Sequence, residues 1–184
     1  MNSHMEPQNG AGETEHRFLC DAMLGGLAKW LRAARYSAEF DVKIKDGALV
    51  RRALEENKVV LTSDSGILER YAVEQELVNT VFVPLGLSPV EQLAYVMGEM
   101  DLGLHESRCM QCNGKLERVP LDAVRDHVPE KVQEYCDEFF RCSQCKKVYW
   151  HGTHWTSIER RLKQAVRQAR NWPEGQAGGK RANG

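Results

Sequence analysis

Apolar and polar residues alternate between two kinds of spacing over residues 16–104. A short apolar run at 17–20 is followed by apolar residues at three- and four-residue intervals over 23–34, which is the spacing of an amphipathic helix. Over 40–44 every second residue is apolar, which is typical of a half-buried strand. The pattern therefore predicts a strand at 17–20, a helix over 23–34 and a second strand over 40–44.

The same change of spacing recurs along the rest of this segment. A helical pattern over 46–54 precedes a β-branched apolar run at 58–62, which is typical of a buried parallel strand. Helical spacing begins again at 67–72, and 78–83 is a fourth strand-like run. Ser88-Pro89-Val90-Glu91 combines an N-cap serine, a proline at the first helical position and a capping-box glutamate, so a helix is predicted to begin there. Strands that alternate with helices predict an α/β fold, in which a parallel sheet has helices on both faces.

The composition is that of a soluble globular protein, with 42% hydrophobic and 28% charged residues among 184. No apolar run approaches the roughly 18 residues that span a bilayer, and no secretion signal is visible, so we expect a cytoplasmic protein without a membrane partner. The 25 Lys and Arg residues nearly balance the 26 Asp and Glu residues. This balance excludes a globally basic nucleic-acid binder, so any nucleic-acid binding must come from local patches.

Three aspartates stand next to predicted strands. Asp21 ends the first strand, Asp64 ends the third, and Asp46 opens the helix after the second. Because the carboxyl ends of parallel strands meet at one edge of the sheet, we expect these carboxylates to converge there. Clustered carboxylates usually hold a hard cation such as Mg²⁺ or Mn²⁺, which can activate water for attack on a phosphodiester. Asp is also a preferred N-cap, so a capping role stays open for each of the three.

A phospho-accepting receiver domain is an alternative from another class, because it also has an Asp at the end of its third strand. A receiver carries an adjacent pair of acids after its first strand and a lysine after its fifth. In this chain Ala22 and Met23 follow Asp21, and no lysine follows the late apolar runs. The sequence therefore disfavours a receiver.

Four of the six cysteines form two C-x-x-C pairs, Cys109 with Cys112 and Cys142 with Cys145. Two such pairs supply four thiolates for a tetrahedral Zn²⁺, and a full thiolate shell makes the metal structural because no position stays open for water. The segment 113–141 between the pairs is longer than the usual ~15–20 residues, which an insertion would explain. A redox C-x-x-C or a chance pairing is the alternative, although a thiol oxidoreductase needs only one pair.

The other cysteines and the nearby histidines have less specific patterns. Cys20 lies in an apolar strand and is expected to be a buried small hydrophobe. Cys136 is expected on a polar helix as a spare thiol. His151 and His154 are candidate substitute ligands, but with four cysteines present we assign them to capping or RNA contact.

Basic residues gather in two places that suit a phosphate backbone. Lys29, Arg32 and Arg35 recur along the first helix, where they form either a solvated face or a phosphate-binding one. Between 159 and 170 the chain is strongly basic, which predicts a helix that attracts nucleic acid. Its basic residues are Arg160, Arg161, Lys163, Arg167 and Arg170. Tyr149, ahead of this helix, is assigned to a small core rather than to base stacking.

Four stretches of the chain together are similar to one known family. They are 18–32 (FLCDAMLGGLAKWLR), 61–64 (LTSD), 108–114 (RCMQCNG) and 142–154 (CSQCKKVYWHGTH). In this order they resemble the Mut-7 C-terminal ribonuclease family, whose members are PIN-like nuclease domains followed by a zinc ribbon. The resemblance implies a PIN-like fold, a divalent-metal active site and RNA as the substrate.

Carried over by position, the family's acidic site falls on the three aspartates and its zinc ligands fall on the two C-x-x-C pairs. The chain departs from the family pattern at several positions. Ser63 stands where Arg is usual, Gly47 where a second acid is common, and Arg35 and Lys146 where Gly is usual. PIN nucleases generally use about four acids, and Asp41 is a fourth candidate whose position fits less well.

We therefore expect a disordered leader at 1–15, a PIN-like domain at 16–104, a zinc ribbon at 105–156, and a basic helix with a flexible tail at 157–184. The predicted function is hydrolysis of RNA phosphodiester bonds at a Mg²⁺ or Mn²⁺ site formed by the three aspartates. The candidate RNA contacts are Lys29, Arg32, Arg160, Arg161 and Lys163. The alternative is a non-catalytic RNA- or tRNA-binding module built from the ribbon and the basic helix.

Overall fold

The computed structural model describes residues 16–104 and 107–172. The leader predicted at 1–15 and the tail beyond 172 lie outside the described residues. The described chain forms two sheets, a parallel one of four strands and an antiparallel one of three. Within these ranges no helix has the length and apolar character needed to cross a membrane.

The first sheet belongs to an α/β domain. Its strands are β1 (Arg17–Cys20), β2 (Ser37–Phe40), β3 (Val59–Thr62) and β4 (Thr80–Phe82). The connecting and following helices are α1 (Gly25–Ala33), α2 (Asp46–Glu56), α3 (Ser65–Leu68), α4 (Tyr71–Glu74) and α5 (Pro89–Glu99). The strand order is β2-β1-β3-β4, and every neighbouring pair is parallel. The predicted α/β fold, a parallel sheet flanked by helices, is confirmed.

The central strands β1 and β3 are buried because helices cover both faces of the sheet. Phe18 and Leu61 belong to a core shared with α1 and α5, whereas Leu19 and Val60 belong to a second core with α2 and α3. All four side chains are completely buried. This burial on two sides explains why both strands are continuous apolar runs in the sequence.

The prediction of a strand over 40–44 is wrong, because β2 ends at Phe40 and the chain then turns. The Asp41 side chain accepts a hydrogen bond from the Lys43 N–H at 2.8 Å, and the Asp41 carbonyl accepts one from the Ile44 N–H at 3.2 Å. An aspartate that accepts hydrogen bonds from the residues after it favours a turn, and here this outweighs the strand-like alternation. The third predicted helix is likewise two short helices, α3 and α4.

The predicted start of α5 is confirmed by a complete capping box. The Ser88 hydroxyl accepts from the Glu91 N–H at 3.4 Å, and the Glu91 carboxylate accepts from the Ser88 N–H at 2.8 Å. Hydrogen bonds from the side chain and backbone of Ser88 to the carboxylate lower the pKa of Glu91. Pro89 occupies the first turn, where its missing N–H is of no consequence.

A small antiparallel ribbon follows the first domain. Its strands are β5 (Leu116–Val119), β6 (Phe139–Cys142) and β7 (Val148–Trp150), in that order across the sheet. The insertion between β5 and β6 contains α6 (Glu130–Gln133) and encloses a core formed by Val124, Val128, Val132, Cys136 and Phe139. Cys136 is therefore a buried core residue beyond the end of α6, and the prediction of a spare thiol on a polar helix is wrong.

The last helix, α7 (Thr153–Arg170), leaves the ribbon and returns to the α/β domain. Leu162 and Ala165 are buried in the core that contains residues of α1 and α5. Gly98 of α5 permits close packing, because a Cβ at this position would lie only 3.1 Å from the Ala169 carbonyl oxygen. The helix thus begins before the predicted boundary at 157, and its apolar side completes the core of the first domain.

Candidate active site and metal centre

Asp21 follows the last residue of β1, and three hydrogen bonds hold its carboxylate. Oδ1 accepts from the Met23 N–H at 2.8 Å, while Oδ2 accepts from the Thr62 hydroxyl at 2.6 Å and from the Ser63 N–H at 2.9 Å. The residue is only 5% exposed. Since a carboxylate offers about four acceptor positions, one lone pair of Oδ1 stays available for a ligand.

Thr62 connects Asp21 with the acid that follows the neighbouring strand. Its hydroxyl donates to Asp21 and accepts from the Asp64 N–H at 2.9 Å. Asp64 is exposed, and as the N-cap of α3 its Oδ1 accepts from the Gly66 N–H at 2.8 Å. The capping alternative therefore holds for Asp64, whose Oδ2 accepts no hydrogen bond from the described residues.

Asp46 occupies a different position from the other two acids. It is the first residue of α2, whose N-cap is Lys45, and its Oδ2 lies 3.4 Å from Arg70 Nη2. Asp41, the fourth acidic candidate, is exposed and uses Oδ1 in the turn after β2. Among the described residues the three aspartates do not form a group within mutual ligand reach, so their convergence on one metal stays a prediction.

Cys109, Cys112, Cys142 and Cys145 bring their sulfur atoms within 4.8 Å of one another. The Cys109 and Cys145 sulfurs are 3.6 Å apart, and the Cys112 and Cys142 sulfurs are 3.4 Å apart. A tetrahedral Zn²⁺ with Zn–S bonds of about 2.3 Å separates its sulfurs by about 3.8 Å. The cluster therefore matches a zinc site in both donor chemistry and size, and the four cysteines can bind a zinc ion as predicted.

Two neighbours of the cysteines suit a metal-bound state. A Cβ on Gly114 would lie 2.7 Å from the Cys142 sulfur, so glycine leaves the sulfur its space. The Tyr149 hydroxyl lies 3.1 Å from the Cys109 sulfur, and burial raises the pKa of Tyr149, which keeps the phenol protonated as a donor. The sequence assigns Tyr149 to packing alone, because a hydroxyl-to-thiolate contact leaves no spacing signal.

Arg32 joins the knuckle, defined as residues 108–114, to the α/β domain. Its Nε donates to the Ala38 carbonyl at 2.7 Å, and its Nη1 donates to the carbonyls of Met110 and Gln111 at 3.1 and 3.0 Å. The residue is 8% exposed, and burial lowers the pKa of its guanidinium group. Arg32 therefore forms an internal bridge, in place of the phosphate contact expected from its position on α1.

Asn113 strengthens the same junction at the outer edge of β2. Its Oδ1 accepts from the Ala38 N–H at 3.1 Å, and its Nδ2 donates to the Ser37 hydroxyl at 3.0 Å. Because β2 is an edge strand of the parallel sheet, this side chain pairs a backbone donor that no second strand reaches. The knuckle thereby covers one edge of the sheet.

Most of the basic residues of α7 lie along one exposed side of the helix, because they are spaced three, four and three residues apart. This side, the basic face, consists of Arg160, Lys163, Arg167 and Arg170. Among the described residues none of the four pairs with a carboxylate. Arg161 lies elsewhere on α7, with its guanidinium carbon 5.9 Å from the centre of the Trp30 ring, and Lys29 is exposed on α1.

The two histidines near the ribbon do not replace a cysteine ligand. His151 Nδ1 lies 2.9 Å from a Glu138 oxygen, and its ring centre is 4.4 Å from that of Trp155. His154 is exposed in the first turn of α7. In the part of the chain that the structure describes, the metal-binding group contains cysteines only.

One family model matches most of the chain. The Mut7-C RNAse domain matches residues 16–162, a range that contains the three aspartates, all four clustered cysteines and the first half of α7. No curated protein and no solved structure matches the chain at a significant level. The match covers well over half of the sequence and spans both the α/β domain and the four-cysteine cluster. The chain belongs to the family of Mut7-C RNAse domains.

Proposed function

We propose that this protein is a metal-dependent ribonuclease that hydrolyses RNA phosphodiester bonds at the carboxyl edge of its parallel sheet. The observation that carries the proposal is the hydrogen-bonded connection from Asp21 through Thr62 to Asp64. It links two carboxylate residues that follow neighbouring strands, at the edge where α/β domains bind their ligands. Membership in a ribonuclease family supports RNA as the substrate.

The oxygen donors at this edge fit Mg²⁺ or Mn²⁺. Asp21 keeps a lone pair on Oδ1, and Asp64 keeps Oδ2 free of hydrogen bonds from the described residues. Mg²⁺ is usually held by one or two carboxylates, several waters and substrate phosphates rather than by a closed protein cage. In this proposal Asp21 and Asp64 are the main ligands, and Asp46 completes the acidic site.

The surrounding residues would set the geometry of the site. Three donors prevent rotation of the Asp21 carboxylate, while the exposed position of Asp64 leaves room for a phosphodiester. Ser63 stands where the family usually has arginine, and it brings no positive charge to the site. Its hydroxyl is buried and donates to the Val83 carbonyl at 2.8 Å. A bound divalent metal would supply activation of a water and stabilisation of the charge on the phosphoryl oxygens.

The basic face of α7 and Lys29 of α1 are the proposed contacts for RNA phosphates. These side chains are exposed, and those of the basic face have no acidic partner among the described residues. Because Leu162 and Ala165 anchor α7 in the core of the α/β domain, the basic face has a fixed position relative to the acids. A docked basic helix can therefore guide RNA towards the sheet edge.

A second candidate function is non-catalytic RNA or tRNA binding by the ribbon and α7. It is favoured by the hydrogen bonds that occupy Asp21 and by the Asp46–Arg70 pair, since both also explain these acids as structural residues. In that case the basic face would bind RNA and the acidic edge would hold no metal.

Asp64→Asn separates the two candidates, with Asp126→Asn as a control on an exposed aspartate in the insertion between β5 and β6. We expect the unaltered protein to cut a fluorescent single-stranded RNA in Mn²⁺. Asp64→Asn should slow cutting by more than about 100-fold, since loss of even an outer partner of a metal ligand costs about 10–100-fold. RNA binding by fluorescence anisotropy and thermal unfolding should change little.

Asp126→Asn should cut at nearly the rate of the unaltered protein. Undiminished cutting by Asp64→Asn would refute the proposed acidic site. Binding of RNA by the unaltered protein without any cutting in Mn²⁺ would favour the binding module. Asp21 is less suitable for this test, because its carboxylate accepts three internal hydrogen bonds and its replacement would also disturb the fold.

A further inference from the structure

A shallow groove of about 690 Å³ lies at the N-terminus of α2. It is lined by residues 44–48 together with Arg51 and Arg70. This volume falls within the ~300–1,000 Å³ of typical ligand sites. The groove includes Asp46, the third proposed acid, but its lining contains neither Asp21 nor Asp64 nor any residue of the basic face of α7.

The groove carries an excess of positive charge. Lys45 and Arg51 are exposed and have no carboxylate partner among the described residues. Arg70 lies 3.4 Å from Asp46, where both side chains are nearly half exposed. Such a solvent-exposed pair contributes little and is easily exchanged for another anion. Three cations against one carboxylate leave a site that favours a further anion.

The first turn of α2 adds to this potential. Its N-cap Lys45 makes no side-chain capping bond, so the positive end of an eleven-residue helix opens towards the groove. Arg70 lies beside the first turn of α2, since a Cβ built on Gly47 would be 3.9 Å from Arg70 Nη1. Backbone N–H groups at a helix N-terminus bind phosphate well, and here three cationic side chains line the same groove.

The groove borders the same edge of the sheet as the candidate active site. One wall is the connection from β2 to α2, and Arg70 comes from the turn between α3 and α4. Helix α3 begins directly after Asp64, so the chain runs from the acid to Arg70 within six residues. A polyanion at the acids can therefore extend across the start of α2 into the groove.

We propose that Lys45, Arg51 and Arg70 form a subsite for internal phosphodiester groups of a single-stranded RNA that is engaged at the acidic edge. The proposal rests on the proposed ribonuclease function and names the part of the substrate that the groove recognises. Cations and helix N–H groups contact phosphate oxygens without reading bases, so the subsite would position the strand without selecting its sequence.

The test compares two doubly substituted proteins in an Asp64→Asn background, in which the RNA should stay intact. Lys45→Gln/Arg51→Gln removes two cations of the groove, and Lys115→Gln/Lys131→Gln removes two exposed lysines of the ribbon as a control. A 3′-labelled 12-nucleotide RNA with a 5′-hydroxyl is bound between 50 and 200 mM salt. We expect the groove substitutions to weaken binding about tenfold at low salt and to reduce the salt slope by about 1.4, since each phosphate contact on a single strand contributes about 0.7. The control should bind within about twofold of the background protein.

Equal losses in both doubly substituted proteins, or no loss in the groove one, would overturn the subsite. A second RNA with a 5′-phosphate distinguishes internal phosphodiesters from a terminal phosphomonoester. The subsite predicts the same loss for both RNAs, and a loss confined to the 5′-phosphorylated strand would also overturn it. If the unaltered protein cuts RNA, Asp64→Asn does not, and the groove substitutions bind normally, the subsite fails while the proposed function stands. If the unaltered protein neither binds nor cuts RNA, both proposals fail.

Discussion

Lys58 stands directly before β3, and its side chain is completely buried. Two carboxylates pair with its ammonium group, Glu39 from β2 and Glu56 from the end of α2. Arg52 pairs with the same two acids and Arg17 lies 3.9 Å from Glu56, so five charged groups form one cluster. A buried charge that loses a partner is strongly destabilising, because the remaining charge has no compensation. The cluster therefore fixes α2 against the edge strand.

Glu56→Gln tests this cluster through the pH dependence of stability. Hydrogen bonds from Lys58 and Arg52 lower the pKa of Glu56 from 4.5 to about 2. Because the folded-state pKa is the lower one, Glu56 stabilises the fold fully above about pH 4.5 and loses this contribution as the pH falls towards 2. We expect Glu56→Gln to lower the urea midpoint of unfolding at pH 7, and the difference from the unaltered protein to shrink between pH 4.5 and pH 2.

The neighbouring Glu55→Gln is the control for this measurement. Glu55 is exposed and has no hydrogen-bond or ion-pair partner among the described residues, so its urea midpoint should follow that of the unaltered protein at every pH. Acid release of a bound metal affects all three proteins alike and cancels in the differences. Equal behaviour of the two glutamine variants would contradict the cluster's role.

Single residues also show where sequence reasoning stops. Asp21 and Asp64 could be placed at one edge of the sheet from the sequence, because strand ends are local features. Arg32 could not, because its carbonyl acceptors at Met110 and Gln111 lie 78 and 79 residues away in the sequence. A basic residue on an amphipathic helix has the same pattern whether it faces solvent or bridges to another domain. Only the tertiary contacts distinguish the two.

At the scale of elements, local signals were sufficient for α5 and β3 but not for β2 or α7. A capping box and a β-branched run act within a few residues, so their sequences specify them directly. The end of β2 depends on a competition between the alternation of apolar and polar residues over 40–44 and the turn that begins at Asp41. The docking of α7 depended on small residues at a distance, such as Gly98 on α5. The charges of α7 were visible in the sequence, whereas the surface that buries its apolar side was not.

Arg167→Gln tests the basic face of α7, with Arg161→Gln as a matched control on the same helix. Both side chains are exposed, but Arg161 lies off the basic face and over Trp30. We expect Arg167→Gln to weaken RNA binding several-fold at low salt and to reduce the salt slope by about 0.7. Arg161→Gln should leave the slope unchanged. Equal effects of the two substitutions in anisotropy titrations would mean that the helix attracts RNA by its total charge and that the basic face has no special role.

At the scale of the whole molecule, charge is segregated and the ribbon is tied to the α/β domain at two places. The overall charge of −1 combines an acidic sheet edge with basic surfaces on α2 and α7. The knuckle attaches to α1 and β2 through Arg32 and Asn113, and α7 attaches to α5. The knuckle of the ribbon therefore contacts the outer strand β2 of the α/β domain, and α7, which follows the ribbon, contacts helix α5. We therefore expect the stability of the α/β domain to depend on the four cysteines.

Removal of zinc should loosen the edge of the parallel sheet before its centre. The Ala38 N–H donates to Asn113 in the knuckle, whereas the Val60 N–H donates to the Asn79 carbonyl within the sheet region. Structural zinc contributes roughly 10–16 kcal/mol to small zinc peptides, so the knuckle should lose its fixed conformation without the metal. Amide hydrogen exchange after chelation should therefore accelerate at least tenfold at Ala38 and change little at Val60, and added Zn²⁺ should restore protection.

Metal analysis of the purified protein should give about one zinc per chain, in line with a single four-cysteine site. Much less than one zinc per chain would contradict the zinc site, and unchanged exchange at Ala38 after removal of bound zinc would show that protein contacts alone hold the edge strand.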